Sequence, residues 1–506
     1  MRVRMKRGEL FFKSRWQALG TLKNHKIPRT DAPPQRSKKN KGTKVMLTKT
    51  AAAISTAYGK GGIAVIRISG DDTQSIVEKC FRAKSGALTL NPRLAVYGDI
   101  TDANGDTIDD GILTFYKAPH SFTGEDMAEI SCHGGILVTN AVLSAVFEAG
   151  AEQASAGEFT KRAFLNGKFT LSRAEAIGHV IDARTDAQLK LASSSARGTL
   201  SNEIDKIRDE LLAVMAAVMV VTDYPDEDLS DMSRDEISAS LTSVSAKLTA
   251  LLKTYRTGKA VTEGVVAVIC GKPNSGKSSL FNLLAGEDKA IVTEIEGTTR
   301  DVLEETVPCG AITLRLKDTA GLRDTDDVVE NIGVLRAREQ IRGAELIIAV
   351  FDRSRKPDET DRDLIDTIKS TETEAAIAIL NKNDLPSKWM QSDIDILQST
   401  FTKTVEMNTS AAPDALVDTI QALYNDEKIP LDLAKDAIIT KERQKVSISK
   451  TIAHLTESMS LLSSDAPLDI TTTEIQSALS ELQIMEGHEL STQLTAEIFG
   501  KFCVGK

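Results

Sequence analysis

The stretch VVAVICGKPNSGKSSLFNLL, residues 265–284, decides how the middle of this chain folds. Val265 to Cys270 are apolar and rich in β-branched residues, as a buried strand requires, and the apolar run after Ser278 reads as a helix. Between them Gly271, Gly276, Lys277 and Ser278 keep the GxxxxGK[ST] spacing. Glycines at these places let backbone N–H groups turn toward phosphates. Lys277 brings a point charge to the outer phosphates, and the Ser278 hydroxyl is placed to ligate Mg2+. A chance glycine turn would lack the flanking strand and helix.

Four further elements follow in order. In EIEGTTRD, residues 294–301, Thr298 or Thr299 is set to reach the metal and terminal phosphate, with Thr299 the better placed. Asp318 in KDTAGL ends a strand where a carboxylate is wanted beside magnesium, and the Gly321 N–H can meet the terminal phosphate. In NKND, Asn381 and Asp384 follow the strand-like AAIAIL. The Asp384 carboxylate can accept two hydrogen bonds from guanine, which adenine cannot offer, so the chain is expected to select GTP. Ser410 and Ala411 close the base pocket. Asn274, Ser275, Ser279, Thr293, Glu294, Ile295, Glu296, Gly297, Thr319, Ala320 and Lys382 complete the expected nucleotide site. Where Ras-like proteins carry a water-orienting glutamine after DTAG, this chain has Leu322. Hydrolysis must then be organised by another group: a carboxylate of RDTDDVVENIG, residues 323–333, or a cation near Asn274. By spacing alone Glu330 reads better as a solvated helix position.

Working outward, 506 residues exceed one hydrophobic core and predict a multidomain chain. Residues 51–147 mix strand-like runs (GIAVIRIS, GILTFY) with a helix-like one (ILVTNAVLSAVF), the pattern of an α+β domain. A long helical stretch then runs from about Leu171 to Lys259, with Leu200, Ile204, Ile207, Leu211, Met215, Val218 and Thr222 on one stripe. Strands return in VVAVIC, ITLRLKD, LIIAVFD and AAIAILN, alternating with helices as in a parallel sheet. From Ile438 a second stripe resumes: Ile448, Ile452, Leu455, Met459, Leu462. Neither stripe can be buried alone. The predicted assembly is an α+β N-terminal domain, a discontinuous α-helical domain and an inserted α/β P-loop domain, with linkers near Gly258 and Pro430. The limits expected are a basic leader over 1–45, then 46–167, 168–260, 261–428 and 429–506.

The net charge of −10 conceals an asymmetry, because residues 1–45 carry 14 Lys or Arg against Glu9 and Asp31. The remainder is strongly acidic, and any nucleic acid would need a local basic patch or a second protein to be held. The longest apolar run, Leu211 to Val221, falls well short of the roughly 20 residues of a membrane span. Five cysteines (80, 132, 270, 309, 503) without paired spacing exclude a disulfide framework or zinc site and suit a reducing compartment, the cytoplasm.

The order of these parts, together with GKGGIAVIRISG, SFTGEDMAEISCHGG, GEFTKRAFLNGK, SRAEAIGHVIDA and the final FCVGK, resembles the tRNA-modifying GTPase family MnmE (TrmE) from about Ala51 to Lys506. The resemblance implies a first domain that dimerises and binds a 5-formyl- or methylene-tetrahydrofolate. It also implies a flavin- and NADH-using partner, MnmG, in a heterotetramer, and modification of C5 of a tRNA wobble uridine. Potassium-activated GTP hydrolysis is implied as well, with Mg2+ at Ser278 and Thr299 and K+ at Asn274, Thr293, Ile295 and Thr298. Glu330 would position water. Arg67, Glu125, Lys168 and Lys506 match folate-contacting positions, plausible partners for pterin and carboxylate groups. The tail IFGKFCVGK would dock its phenylalanines on the helical domain. Gly505 would run close to a ligand, and Cys503 would serve as a thiol nucleophile or acid/base group. Where the family commonly reads TPPGRGG this chain has Ala57, Tyr58 and Lys60 in STAYGKGG, and VVTDYPDEDL matches the family's acidic turn only loosely. The basic leader lies outside the resemblance and has three readings: a mitochondrial transit segment, an RNA-binding tail, or a translation start placed ahead of the true one at Met46, which is favoured. A GTP-switched ribosome-assembly factor would share the nucleotide motifs, and a folate-dependent aminomethyltransferase would share the first domain.

Overall fold

A computed structural model describes residues 49–223, 233–285, 305–317, 341, 343–409, 414–424, 431–464, 467–488, 495, 498–500 and 502–505. Lys49 onward form one unit. Its first layer is a sheet of Ala51–Ile54 (β1), Ile63–Ser69 (β2), Phe81–Ala83 (β3), Ala95–Thr101 (β4), Thr107–Tyr116 (β5), Met127–His133 (β6) and Glu152–Gln153 (β7), in the order β3-β4-β5-β6-β2-β1-β7. Neighbours run antiparallel except β1 and β7. One face alternates inward, burying Ile66, Ile68, Ile130 and Leu113 under helices Thr73–Cys80 and Ile136–Glu148. The other face leaves Ile63, Tyr97 and Ile112 exposed, with Tyr97 and Ile112 direct cross-strand partners.

The second sheet contains Val265–Cys270 (β8), Glu305–Cys309 (β9), Ile312–Leu316 (β10), Leu346–Asp352 (β11), Ala375–Asn381 (β12) and Lys403–Glu406 (β13), in the order β13-β12-β11-β8-β10-β9. All pairs are parallel except β9 with β10. β8 and β12 are buried along their whole length, which is why they read as unbroken apolar runs.

The expected long helical stretch is five helices: Leu171–Asp182, Asp186–Ala196, Thr199–Asp223, Arg234–Lys253 and Tyr255–Thr262. The interruptions have local causes. Thr185 and Gln188 form a capping box, Gly198 takes φ +91°, and Ser233 with Glu236 caps the fourth helix. Leu200, Ile204, Ile207, Leu211 and Val218 are buried as the stripe requires, whereas Met215 is only partly buried and Val214 takes the inward place. Ile448, Leu455 and Leu462, from helix Glu442–Ser463, enter this same core beside Ile475, Leu479 and Leu482 of helix Leu468–Glu486. Thus segments on both sides of the second sheet share one interior. Polar ties fix the register: Arg443 forks onto Glu175 at 2.9 and 2.5 Å, and buried Glu486 accepts from Ser172 (3.3 Å) and Ser201 (3.0 Å). Among the described residues no helix is long and apolar enough to cross a membrane.

Gly258, expected in a linker, lies inside helix Tyr255–Thr262, while Pro430 falls outside the described residues. A Cβ on Gly258 would stand 2.2 Å from the Ile439 carbonyl oxygen and 2.8 Å from Ile438 Cγ2. Alanine improves helix propensity by about 1 kcal/mol, but that contact forces the returning backbone to move. Gly258→Ala is expected to destabilise the chain by roughly 1–3 kcal/mol, seen as a lower thermal midpoint; an unchanged midpoint would mean that this packing yields freely.

Candidate functional site

The phosphate loop joins β8 to helix Lys277–Ala285. Two glycines permit its path. Gly271, at φ +142°, would place a Cβ 2.3 Å from the Val350 carbonyl oxygen, and Gly276, at φ +106°, would place one 2.0 Å from Asn381 Nδ2. Lys277 Nζ donates to the Lys272 carbonyl at 2.7 Å, and burial lowers its pKa from the ordinary lysine value. Ser275 Oγ is buried without a hydrogen-bond partner among the described residues, a polar atom suited to a ligand in the loop. Lys272 anchors the loop's outer side to helix Glu359–Lys369 through Asp358 and through Asp361 at 2.5 Å.

Asn381 is 1% exposed and joins three segments. Its Nδ2 donates to the Ser275 carbonyl (2.8 Å) and Thr409 Oγ1 (3.3 Å), while its Oδ1 accepts the Thr409 N–H at 3.0 Å. Lys382 stands at φ +64° and pairs with Asp352 at 2.6 Å. Burial pushes the Asp352 carboxyl up, but bonds from Lys382 and Ser354 outweigh it and hold the group below the usual range. This leaves Asp384 exposed in the following turn at the carboxyl end of β12, where a base can reach it. Ser278 sits half-buried on the first helical turn, and Asn274 (φ +61°) and Ser279 are exposed. The expected Thr293, Glu294, Ile295, Glu296, Gly297, Thr298, Thr299, Asp318, Thr319, Ala320, Gly321, Glu330, Ser410, Ala411 and Lys506 lie outside the described residues. Sequence reasoning missed Thr409, Asp352, Asp361 and Lys272, although Lys272 lies inside the phosphate-loop motif and Thr409 stands next to Ser410.

A second cluster sits on the first sheet. Arg67 of β2 pairs with Glu129 of β6 at 2.7 Å and lies over the rings of Phe122 (5.4 Å) and Phe159 (5.6 Å). Glu125 accepts from Ser69 Oγ at 2.9 Å and from Arg162 at 3.0 Å. Lys168 packs its stem within 3.5 Å of where a Gly124 Cβ would be, and its amine donates to the Pro119 carbonyl at 2.8 Å. TGED meets LNGK through Gly124 and the Lys168 stem, but the Glu125 carboxylate and the Lys168 amine bond to different partners. Arg67 stands two residues from Ser69, the partner of Glu125, and is already engaged by Glu129. Arg162, 4% exposed, went unread; it also bonds Glu158, the Ser69 carbonyl and the Lys49 carbonyl. Its signal was the Glu158/Arg162 spacing of one helical turn.

The tail crosses from the helices to the first sheet. Phe499 is buried against Leu171 and Ala174, stacked with Phe164 (5.9 Å) and Phe502 (5.5 Å). Val504 bridges Ala156, the Gly157 N–H donates to the Cys503 carbonyl, and Ser55 Oγ donates to the Gly505 carbonyl at 2.8 Å. The expected anchoring on helices holds, and the tail extends past them to the end of β1. Cys503 is exposed, whereas Cys80, Cys132, Cys270 and Cys309 are buried and free; desolvation pushes the last two up to about 12.

Residues 50–168 match the family described as GTP-binding protein TrmE N-terminus, and residues 171–503 match the MnmE helical domain. The chain belongs to the MnmE family. A relative named tRNA modification GTPase MnmE from Clostridioides difficile is 39% identical, covering 90% of this chain and 99% of its own. Its MnmE namesake from Thermotoga petrophila is 38% identical over 90% and 100%. Among solved structures, Aquifex aeolicus Era bound to GDP.AlF4- is 24% identical, covers 37% of this chain and 65% of that one, and has a TM-score of 0.24. The family match thus spans both the sheet bearing Arg67, Glu125 and Lys168 and the helices that hold the tail.

Asn381→Ala would leave the Ser275 carbonyl and Thr409 N–H without their partner, a loss of about 1–3 kcal/mol. Guanine nucleotide affinity, measured by fluorescent GDP titration, is expected to fall roughly tenfold or more; unchanged affinity would contradict the clasp. Gly505→Ala, whose Cβ would lie 2.0 Å from the Ile54 carbonyl at φ +96°, is expected to be trimmed by carboxypeptidase faster than the parent chain, as followed by mass spectrometry; equal rates would contradict the docked tail.

Proposed function

We propose that this protein is a GTP hydrolase that takes part in tRNA modification. The observation that carries this reading is a phosphate loop clasped through Asn381 to the NKND turn, in a chain matching the MnmE family over most of its length. Lys277 and the loop N–H groups bind phosphates, Ser278 and Thr299 would hold Mg2+, and Asp384 selects guanine. The metal would neutralise charge on the phosphates. Asn274, with Thr293, Ile295 and Thr298, would hold K+, and Glu330 would orient the attacking water in place of the glutamine absent at Leu322.

The reading extends to a tetrahydrofolate derivative beside Arg67, Glu125, Lys168 and Lys506. When bound it would supply a one-carbon unit toward C5 of the wobble uridine. The donor set suits it: the rings of Phe122 and Phe159 flank Arg67, while Glu125 and Lys168, on the adjoining segments TGED and LNGK, offer a carboxylate and an amine. Cys503, exposed beside Gly157, is proposed as the thiol that acts there. The exposed Ile63, Tyr97 and Ile112 favour pairing of two copies through the first sheet. MnmG is the proposed flavoprotein partner, the cytoplasm the proposed location, and 46–167, 168–260, 261–428 and 429–506 the proposed domain limits.

The test is hydrolysis by the purified chain, with GTP against ATP and K+ against Na+, followed by nucleoside analysis of tRNA from a deletion strain. GTP preference, potassium stimulation and loss of the modified wobble uridine are expected. An unaltered nucleoside profile would favour the ribosome-assembly reading instead. Asp384→Asn should lower GTP hydrolysis and raise hydrolysis of XTP, because the amide can donate to the extra base carbonyl. Retained GTP preference would remove Asp384 from the specificity role.

A further inference from the structure

A pocket of about 340 Å3 opens on the first sheet, lined by Pro92, Arg93, Lys117, Ala118 and His120. Arg93 stands at φ +66°, where side chains other than glycine and asparagine rarely lie, and its N–H is held by the Phe115 carbonyl at 2.7 Å. Its guanidinium reaches the His120 carbonyl at 3.4 Å, while Lys168 donates to the adjacent Pro119 carbonyl. Two cations from distant segments therefore converge on successive carbonyls of one loop. Carbonyl oxygens leave a cation's charge uncancelled. Lys117 pairs with Asp126 at 2.7 Å, and the other Asp126 oxygen accepts the Ala118 N–H at 2.9 Å. Of the lining residues Arg93 and Lys117 are cationic, and with the Asp126 carboxylate that pairs with Lys117 they leave the pocket a net positive charge.

We propose that this pocket is an anion subsite for the glutamate tail of the folate, taking carboxylates beyond the first. The proposal rests on the folate reading above. Lys168 connects the two: it is a proposed folate contact, and its amine donates to the Pro119 carbonyl, next to the His120 carbonyl that Arg93 reaches. A guanidinium fork accepts a carboxylate on two parallel N–H bonds, and each γ-linked glutamate adds one more carboxylate. An RNA backbone fits less well, since it needs an extended basic stripe and the chain beyond residue 45 is strongly acidic.

The experiment titrates the full chain with 5-formyltetrahydrofolate carrying one or three glutamates. The triglutamate is expected to bind roughly fivefold tighter, equal to about 1 kcal/mol. Arg93→Gln should bring that ratio toward one, and the exposed Lys117→Gln, which keeps the left-handed residue intact, should lower it independently. Equal affinity of the two ligands for the parent chain, or an unchanged ratio in both variants, overturns the subsite while leaving the folate reading standing. Failure of both ligands to bind overturns the folate reading together with the subsite. Weaker tRNA binding by the variants at an unchanged ratio would assign the pocket to RNA and likewise overturn the proposal.

Discussion

The structure depends on one shared interior. Helices Thr199–Asp223 and Arg234–Lys253 carry an apolar stripe that has no complement nearby in sequence, and helices Glu442–Ser463 and Leu468–Glu486 supply it from the far side of the second sheet. Closing that core obliges the chain to leave and return at almost the same place. Gly258 against the Ile438–Ile439 backbone is where the outgoing and returning segments touch. The hydrophobic gain from twenty fully buried core residues must exceed the closure entropy of the long intervening segment, which grows only slowly with length.

The nucleotide-bearing sheet is not merely carried on this core. Leu191 of helix Asp186–Ala196 and Ile438 of the returning segment are buried among its own side chains. Gln188 Nε2 also donates to Thr313 Oγ1 of β10 at 3.4 Å. β10 leads into the DTAG segment, and β9 begins six residues after Thr299. A displacement of either strand is therefore felt by helices that continue toward the tail. Close packing transmits such displacements because interiors have few voids to absorb them.

Both candidate sites are built by clasping backbones together. In one, glycines 271 and 276 let the phosphate loop approach Val350 and Asn381; in the other, Gly157 lets the tail's Phe499 come close, and Gly505 lets the tail approach Ile54. Side-chain amides and hydroxyls then lock the approach, Asn381 onto Ser275 and Ser55 onto Gly505. The charged groups follow the same logic. Arg162 is nearly buried, and it is accepted there because four oxygens surround it, two carboxylates and two carbonyls.

The sequence by itself determined the central strands of the second sheet and the nucleotide motifs. β8, β11 and β12 lie where the apolar runs do, since strands buried on both faces take few polar residues, and the exceptions, Asp352 and Asn381, stand at the carboxyl ends. The phosphate loop and NKND were legible because their function needs fixed residue types at fixed spacing. The split core was legible too, from two stripes lacking a local partner. Only the tertiary structure decided that Asn381 clasps Ser275, that Val214 rather than Met215 turns inward, that Arg162 organises Glu125, and that the tail crosses from Phe499 to Ser55. These contacts join residues separated by as many as 450 positions, and no local periodicity encodes which distant side chain closes a hydrogen bond.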